Sequence, residues 1–511
     1  MPGGSKKDVL MGIDGGTGSV RVGLYDFSGR CLSFASVDYP TAHPFPGWAE
    51  QDPADWWRCL GEASKRALSS AGIDPDRIAA VAADTTCTSV VLCMRDSTPV
   101  RPCVIWMDVR AQKEADELLE KTGEFYSAEW MPPKLAWLKR NERENYDRAE
   151  VFCEYQDWLT FRLTGSWCMN INTACNWGYS VNDGFSQKVY EALDITDALR
   201  KFPSEKVYRV GDRIGALTEE AALQLGLLRG IPVAQGGVDS SIGVLGMGVN
   251  RPGRIAMIAG SSNLAMALNT RPLLNPEGSN NGPDNLFRGL YTDYVAQSST
   301  GSVLSWFRRE FCRDLTEKGL NAYREMDRLA REVPIGSNGL ILLDYFQGNK
   351  HPYYDGSVRG MFYGLSLSHT RRDMYRAVLE GVAFGTERML DAFREKGVAV
   401  DELNIAGGTA NSPLWLQIHA DVSNIKVNVP SDTNATCLGC AIAAAAMLGV
   451  YPSLKEAVDR MVTYDRTYLP DPDRHRRYEK VYRLYRRLYP EMKGWMHDAR
   501  SVFAGLYGIE E

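Results

Sequence analysis

The stretch VLMGIDGGTGSVRVGLYD, residues 9–26, is the part of the sequence that decides the fold. It begins with a nearly continuous apolar run, which is typical of a buried strand. After a glycine-rich turn, apolar and polar residues alternate with the period of a half-buried strand. The pattern predicts a β-hairpin whose tip carries the carboxylate of Asp14, several glycines and two hydroxyl groups.

This predicted tip has the composition of a phosphate-binding turn. Its glycines allow positive φ angles and let a ligand approach without a Cβ atom in the way. Successive backbone N–H groups in such a turn form a concavity that suits phosphate oxygens. Asp14 would then face a Mg²⁺ ion bound to those oxygens. The alternative is an ordinary hairpin in which aspartate and glycine serve only the turn.

A second stretch with the same plan lies far downstream. Residues 253–268, GRIAMIAGSSNLAMAL, again read as apolar strand, glycine-and-hydroxyl tip and apolar strand. Two such hairpins, each opening its own half of the chain, resemble the actin-like ATPase superfamily of sugar kinases, actin and Hsp70 chaperones. The resemblance implies an α/β fold of two actin-like (ribonuclease H-like) domains that flank a nucleotide cleft.

Length and composition fit this interpretation and exclude several others. A chain of 511 residues is too long for one hydrophobic core. A net charge of −6 with scattered signs argues against a nucleic-acid-binding surface. Eleven cysteines without framework spacing fit a reducing compartment. The sequence lacks a signal-peptide pattern and a membrane-spanning apolar run, so it predicts a cytoplasmic protein without a membrane partner.

Local patterns predict the order of the remaining elements. A helix is expected from Ala54 to about Ala71, with Asp52 as its cap. The apolar run 78–83 predicts a buried strand, and a polar, hydroxyl-rich stretch follows it at 84–89. In open α/β sheets, ligands bind beyond such strand ends. The glycine-rich stretch 246–253 predicts the joint between two halves, which we place at 1–246 and 253–511.

Asp239 is the candidate general base. The chain has no Walker-type phosphate loop and its six histidines are scattered, so carboxylates are the available bases. Phosphoryl transfer requires one carboxylate to accept the proton of the attacking hydroxyl. Asp239 follows the predicted strand 231–234 and two glycines, just before the predicted joint. The alternative is a helix cap for residues 240–246, and the two roles can coexist.

Further candidates have structural alternatives that the pattern leaves open. Gly407 and Gly408 allow close passage of a nucleoside, or they form only a tight strand-to-helix turn before the helix expected from Pro413 to about Asn424. Residues 297–302 open a predicted helix, whose amino end would suit an anion. Asp108 precedes the helix expected at 111–120 and could simply cap it.

Two other features favour packing over chemistry. The spacing of Cys437 and Cys440 allows a metal or redox pair, but without a second pair or a histidine partner it indicates packing. The basic, aromatic stretch 476–489 has helical spacing and predicts a packed amphipathic helix rather than a nucleic-acid tail.

Taken together, the motifs resemble those of an FGGY-type carbohydrate kinase nearly end to end. They include GWAEQDP at 47–53, LTG at 163–165, GGVDS at 236–240 and the stretch from Gly407 to Ala441. The resemblance implies ATP and Mg²⁺ as cofactors, Asp239 as catalytic base and Asp14 as the carboxylate near the metal. The implied nucleotide and phosphate positions are Asp14, Gly16, Thr17, Gly260, Ser261, Gln297, Gly301, Gly407, Gly408 and Asn411. The implied sugar positions are Cys87, Thr88, Asp108, Asn176 and Asp239.

Within the family, the stretches 84–88, 106–110 and 417–421 look most like the ribulokinase-related branch. Ribulokinase-like members tend to have Cys-Lys-Trp where this chain has Asn176 between Cys175 and Trp177. The substrate predicted from this resemblance is a ketopentose such as ribulose. Another ketose or polyol (a ketotetrose, a branched ketose, xylulose or an alditol) stays open, as does a non-catalytic, nucleotide-dependent binding protein. The sequence leaves the oligomeric state open, and a homodimer is one such state.

Overall fold

The computed structural model describes residues 7–272 and 284–508, and within them the chain packs into two compact units. The first unit contains the chain up to Asn250, Thr270–Thr292 and Asn434–Thr463, and the second contains Arg251–Asn269, Asp293–Thr433 and the chain from Tyr464. The strands are β1 (Val9–Gly15), β2 (Ser19–Asp26), β3 (Cys31–Asp38), β4 (Glu50–Gln51), β5 (Ile78–Thr85), β6 (Val90–Cys93), β7 (Cys103–Val104), β8 (Val151–Glu154), β9 (Met169–Asn170), β10 (Tyr179–Ser180), β11 (Gly184–Phe185), β12 (Val207–Tyr208), β13 (Arg213–Ala216), β14 (Pro232–Val238), β15 (Gly253–Ala259), β16 (Asn263–Asn269), β17 (Tyr291–Gln297), β18 (Ile341–Leu343), β19 (Met361–Tyr363), β20 (Val400–Gly407), β21 (Lys426–Pro430) and β22 (Tyr464–Tyr468).

The helices alternate with these strands, as expected for an α/β protein. They are α1 (Pro53–Ala71), α2 (Gln112–Thr122), α3 (Met131–Asn141), α4 (Arg143–Arg148), α5 (Tyr155–Thr164), α6 (Ile171–Asn176), α7 (Gln187–Ala192), α8 (Glu219–Leu225), α9 (Asp239–Gly246), α10 (Gly301–Phe311), α11 (Arg313–Glu317), α12 (Ala322–Ala330), α13 (Arg371–Glu395), α14 (Pro413–Ser423), α15 (Ala435–Met447), α16 (Leu454–Met461) and α17 (Pro472–Tyr507). Short 3₁₀ turns lie at Pro75–Arg77, Thr196–Lys201, Ser337–Gly339 and Gly408–Asn411.

Each unit is built on a six-stranded sheet, and the two sheets have the same plan. In the first unit the order is β13-β14-β5-β1-β2-β3, and in the second it is β17-β16-β15-β20-β21-β22. Each sheet contains an antiparallel hairpin, β1–β2 or β15–β16, whose first strand pairs in parallel with the next inner strand, β5 or β20. At the edge away from the hairpin, each sheet ends in an antiparallel strand, β13 or β22. The repeat predicted from the two glycine-rich stretches is therefore confirmed.

Helix α15 packs on the first unit although it lies late in the chain. Three glycines bring backbones together there: a Cβ at Gly12 would lie 2.0 Å from the Cys437 carbonyl oxygen, and one at Gly246 would lie 1.8 Å from that of Ala435. A Cβ at Gly439 would meet the backbone of α9 at 2.1 Å. The sequence placed residues 434–463 in the second half, whereas packing places them with the first unit.

Several local predictions agree with the structure. Asp52 caps α1 by accepting the Ala54 N–H, and Pro53 occupies the first turn, as predicted. Helix α17 buries tyrosines along one face, as expected for a packed amphipathic helix. The proposed cap role of Asp108 is wrong, because α2 begins after Ala111 and has no side-chain cap. No helix in the described part of the chain has the length and apolar character needed to cross a membrane.

Candidate active site

Three carboxylates meet at one edge of the first unit's sheet. Strands β1, β5 and β14 are neighbours and run in parallel, so their carboxyl ends lie together. Asp14 pairs in register with Asp84, and Asp239 directly follows Val238, which pairs with Thr85. The carboxyl ends of parallel strands are where ligands bind in open α/β sheets.

Asp14 is fully buried at the end of β1 and is surrounded by partners from distant parts of the chain. Its Oδ2 forms an ion pair with Arg21 Nη2 at 2.9 Å and accepts a hydrogen bond from the Thr436 hydroxyl of α15. Burial raises the pKa of Asp14, while Arg21 and Thr436 oppose that rise. Its buried Oδ1 accepts no hydrogen bond from an N–H or hydroxyl group of the described residues, and a hydrogen bond between the carboxyl groups of Asp14 and Asp84 also opposes the rise in pKa.

Asp84 was not among the predicted site residues, although it lies beside Asp14. Its Oδ2 accepts a hydrogen bond from the Cys440 thiol at 3.1 Å, and its buried Oδ1 accepts none from an N–H or hydroxyl group of the described residues. Burial and the charge of Asp14 raise the pKa of Asp84 well above its ordinary value. The available signal was a carboxylate inside a buried strand, at the start of the polar stretch 84–89. The contact with Cys440 lay beyond sequence reasoning.

Asp239 begins helix α9 and is half-buried. Its Oδ1 accepts the Ser240 N–H at 2.6 Å, and Val238 occupies the cap position. Burial and the nearby charge of Asp14 raise the pKa of Asp239 to about 7, against the opposing effects of the Ser240 N–H and Arg21. A carboxylate with a pKa near neutrality is suited to general-base work at physiological pH.

The first hairpin tip is held by hydrogen bonds from Gln51 and Trp106. Gln51 Nε2 donates to the Thr17 carbonyl at 2.6 Å, and Trp106 Nε1 donates to the Thr17 hydroxyl at 2.9 Å. Gly16 is buried at the tip, where a Cβ would lie 2.5 Å from Arg21 Nη2. The predicted phosphate positions Gly16 and Thr17 therefore lie directly beside the Asp14–Arg21 pair.

Of the predicted sugar positions, Asp108 has its carboxylate fully engaged by protein donors. Oδ1 accepts from the Arg110 N–H at 3.0 Å and from its Nε at 2.9 Å. Oδ2 accepts from the Ala49 N–H at 2.6 Å and from Arg110 Nη2 at 2.7 Å. Arg110 in turn pairs with Glu50 at 2.7 Å and lies over the Trp48 ring at 3.8 Å.

Three other predicted sugar positions lie near two buried ionisable side chains, Glu154 and Lys134. Cys87 and Thr88 follow β5, and Asn176 is the half-buried last residue of α6. The Thr88 N–H donates to Glu154 Oε2 at 2.6 Å, and its carbonyl accepts from Lys134 Nζ at 2.8 Å. Burial raises the pKa of Glu154 to about 7 and lowers that of Lys134 to about 8.

The second unit brings most of its predicted positions to the corresponding edge of its own sheet. Gly260 and Ser261 form the exposed tip after β15, and Ala259 pairs in register with Gly407 at the end of β20. The N–H of Gly301 donates to the Gly260 carbonyl at 3.1 Å, and a Cβ at Gly301 would lie 2.4 Å from that oxygen. The exposed residues Gly408 and Asn411 bound the following 3₁₀ turn.

Gln297 is the last residue of β17 and is buried. Its Oε1 accepts from Asn263 at 3.1 Å and from Thr386 at 3.0 Å. Its Nε2 donates to Asp344 at 2.7 Å and to the Val382 carbonyl at 3.1 Å. All four hydrogen-bonding positions of the amide are therefore used by other groups of the second unit.

Two repeated α/β units, each with a glycine-rich hairpin tip at the carboxyl edge of its sheet, define the actin-like ATPase fold. Residues 9–246 match the N-terminal domain of the FGGY family of carbohydrate kinases, and residues 255–448 match the C-terminal domain of the same family. The chain belongs to the FGGY family of carbohydrate kinases. It is an ATP-dependent sugar phosphotransferase, so the predicted family, fold class and enzyme class are confirmed.

The proteins that are similar to this chain are named after several different substrates. A ribulokinase from Geobacillus thermodenitrificans is 30% identical over 97% of this chain and 98% of the relative. An autoinducer-2 kinase from Escherichia coli is 30% identical over 96% of this chain and 95% of the relative. The crystal structure of a xylulose kinase from Rhodospirillum rubrum superposes with a TM-score of 0.82 at 27% identity, covering 96% of this chain and all (100%) of that one.

Proposed function

We propose that this kinase transfers the γ-phosphoryl group of ATP to a ketopentose such as ribulose, with Asp239 as general base. The observation that carries the proposal is the arrangement of Asp14, Asp84 and Asp239 at the joint carboxyl edge of β1, β5 and β14. In this arrangement the half-buried Asp239, with a pKa raised to about 7, accepts the proton of the attacking sugar hydroxyl.

The first unit binds the sugar in this proposal. The candidate contacts Cys87, Thr88 and Asn176 lie in that unit with Asp239. Asp108 contributes through its ion pair with Arg110, because its own oxygens are already hydrogen-bonded.

A Mg²⁺ ion fits the carboxylates of this edge. Asp14 and Asp84 each have one buried oxygen that accepts no hydrogen bond from an N–H or hydroxyl group of the described residues, and hard oxygen donors are what Mg²⁺ prefers. Mg²⁺ is usually held by one or two carboxylates together with substrate phosphates. When bound, the ion would neutralise charge on the transferred phosphoryl group.

The second unit binds most of the ATP in this proposal. Its exposed tip at Gly260 and Ser261 suits phosphate oxygens, because it offers a hydroxyl and a backbone that a ligand can approach closely. The first N–H groups of α10 do not serve this purpose, since Gly301 and Ser302 donate to the carbonyls of Gly260 and Ser261. The exposed turn from Gly407 to Asn411 suits the adenosine, because Gly408 has no side chain to obstruct a flat ligand.

The substrate is tested by measuring ADP release across a panel of ketoses and alditols, with kcat/KM as the measured quantity. We expect the highest kcat/KM with a ketopentose, and the same panel with Asp239→Asn gives the background. A higher kcat/KM for a ketotetrose, a branched ketose or an alditol would overturn the ketopentose assignment. The phosphorylated carbon follows from NMR of the product.

A second substrate class is favoured by one observation. At position 176 a neutral amide replaces the lysine typical of ribulokinase-like members, so a cation able to hold a sugar oxygen is missing there. The ribulokinase and the autoinducer-2 kinase are both 30% identical to the chain. The alternative is therefore a different ketose or polyol bound at the same site. The eleven cysteines, which lack the spacing of a disulfide framework, agree with the proposed cytoplasmic location.

A further inference from the structure

The backbone at Thr88 has a conformation that threonine rarely adopts. Its φ angle is +52°, in the left-handed region. A β-branched residue there is a genuine outlier, and such strain persists only where the surrounding structure holds it. Thr88 is buried within residues 86–89, which follow β5 and which we call the Thr88 turn.

Two buried charged side chains hold the backbone of Thr88 from its two sides. Glu154 accepts the Thr88 N–H at 2.6 Å, and Lys134 donates to the Thr88 carbonyl at 2.8 Å. Glu154 is 0% exposed and Lys134 is 1% exposed. Charged side chains are almost never buried to this extent unless they are paired or hydrogen-bonded, and both bind the same residue.

The same side chains connect the Thr88 turn to the other predicted sugar segments. Lys134 Nζ also donates to the Ile105 carbonyl at 2.8 Å, which accepts the Asp108 N–H at 3.1 Å. The second oxygen of Glu154 accepts the indole N–H of Trp177, the neighbour of Asn176, at 2.6 Å. One pair of side chains thus fixes the three backbone segments that carry Thr88, Asp108 and Asn176.

We propose that Glu154 and Lys134 are positioning residues that hold the Thr88 turn in the conformation that binds the sugar. The inference rests on the proposed sugar site in the first unit and adds residues that need not touch the substrate. If the pair had only a structural role, replacing either residue would lower stability and change the KM for the sugar and the KM for ATP alike. A positioning pair acts selectively on the sugar, because small displacements of contacting groups have large kinetic effects.

The first test uses Glu154→Gln and Lys134→Met. Glutamine keeps the volume of Glu154 but has only one acceptor oxygen for the two N–H donors, and methionine keeps the aliphatic stem without the ammonium. We expect either variant to raise the KM for the best sugar about tenfold or more, with the KM for ATP within about twofold of wild type. A folded variant with unchanged sugar KM, or with equal changes for sugar and ATP, would overturn the proposal.

A matched control is Glu380→Gln in the second unit. Glu380 is also buried, at 1% exposed, and accepts hydrogen bonds from Ser337 and Arg376. We expect this variant to lower the melting temperature while the sugar KM stays at the wild-type value. An equal rise in sugar KM in this control would mean that loss of any buried carboxylate produces the effect, which contradicts a specific role for Glu154.

A double-mutant cycle tests the link to the conformation of residue 88. Glycine adopts positive φ without steric cost, so the left-handed conformation at position 88 needs less support in Thr88→Gly. We expect Glu154→Gln to raise the sugar KM less in the Thr88→Gly background than in the wild type. Equal effects in both backgrounds would show that Glu154 does not act through the conformation of residue 88.

The wild-type enzyme provides a test that needs no variant to fold. Amide hydrogen exchange of a peptide covering residues 87–89 should be slow without sugar, because the Thr88 N–H is bound to Glu154 in the free protein. Rapid exchange that becomes slow only on adding sugar would overturn the proposal, since the sugar would then order the turn. If no sugar on the panel is turned over, the proposed substrate class fails, and the exchange measurement still shows whether Glu154 holds the Thr88 N–H in the free protein.

Discussion

Replacement of Asp239 by asparagine should abolish most of the activity without weakening the fold. Asparagine has the same shape, and its amide oxygen can still accept the Ser240 N–H that Asp239 accepts at 2.6 Å. It cannot take up the proton of a sugar hydroxyl. Loss of a general base costs about 10²- to 10⁴-fold in rate, so kcat should fall by that factor while ATP affinity stays near wild type.

The raised pKa of Asp239 adds a second expectation, on stability. A folded-state pKa of about 7 against an ordinary value of 3.8 means that the folded protein binds this proton more tightly than the unfolded chain. The protonated carboxyl of Asp239 therefore stabilises the fold fully below pH 3.8, and this contribution is lost as the pH rises through about 7. At pH 8 the ionised carboxylate destabilises the fold, so Asp239→Asn should melt at the same or a higher temperature there.

The same pKa predicts the pH profile of the wild type. With a pKa of about 7, the carboxyl is about nine-tenths ionised at pH 8 and about one-tenth ionised at pH 6. The kcat/KM of the wild type should therefore fall about tenfold from pH 8 to pH 6. This dependence should be absent in the residual activity of Asp239→Asn.

The assay is ADP release with the best sugar of the panel, together with thermal denaturation at pH 8. A matched control is Asp471→Asn, because Asp471 caps α17 through the N–H groups of Asp473 and Arg474, and asparagine can replace it there. This control should keep wild-type turnover. Turnover of Asp239→Asn within about threefold of wild type would refute the assignment of Asp239 as general base.

Three other predictions concern the nucleotide, the substrate and the packing of the first unit. Gly408→Val should weaken ATP binding about tenfold or more in calorimetry while sugar binding survives. A Cβ there meets only the Ala259 carbonyl, at 3.7 Å, so the fold tolerates it and the ligand loses space; unchanged ATP affinity would remove this turn from the site. Asn176→Lys should shift relative kcat/KM toward ribulose-like ketopentoses by about tenfold, and identical relative rates across the panel would place residue 176 outside the pocket. Gly246→Ala should lower the unfolding free energy by about 1–3 kcal/mol, because its Cβ would lie 1.8 Å from a carbonyl of α15. Gly243→Ala in the same helix is the control and should be neutral or stabilising, since its nearest contact is an ordinary 3.7 Å, and equal melting temperatures for the two variants would contradict this account.

Local periodicity was enough to predict the elements that repeat. The hairpin at residues 9–26 was predicted from its strand periods and its glycine-rich turn, because both signals lie within a few residues of each other. The same holds for the cap of α1 by Asp52 and for the start of α9 next to Asp239. Their physical causes are short-range, so the chain carries them in order. The roles of the individual site residues stay predictions that the experiments above test.

The order of strands in the sheet was not available from such signals. Asp14, Asp84 and Asp239 lie far apart in the chain and meet only because β1, β5 and β14 are parallel neighbours. Nothing in the stretch around Asp84 shows that its carboxylate will lie beside Asp14 or accept a hydrogen bond from Cys440. That pairing depends on how the whole first unit packs.

By itself, therefore, the sequence determined the two hairpins, the cap of α1 by Asp52 and the family to which the chain belongs. Only the tertiary structure decided that α15 returns to the first unit, where Thr436 binds Asp14, and that Glu154 and Lys134 hold Thr88. The physical reason is that backbone propensity and hydrophobic period act over a few residues. Burial, pKa shifts and buried hydrogen bonds instead depend on which distant segments exclude water from one another.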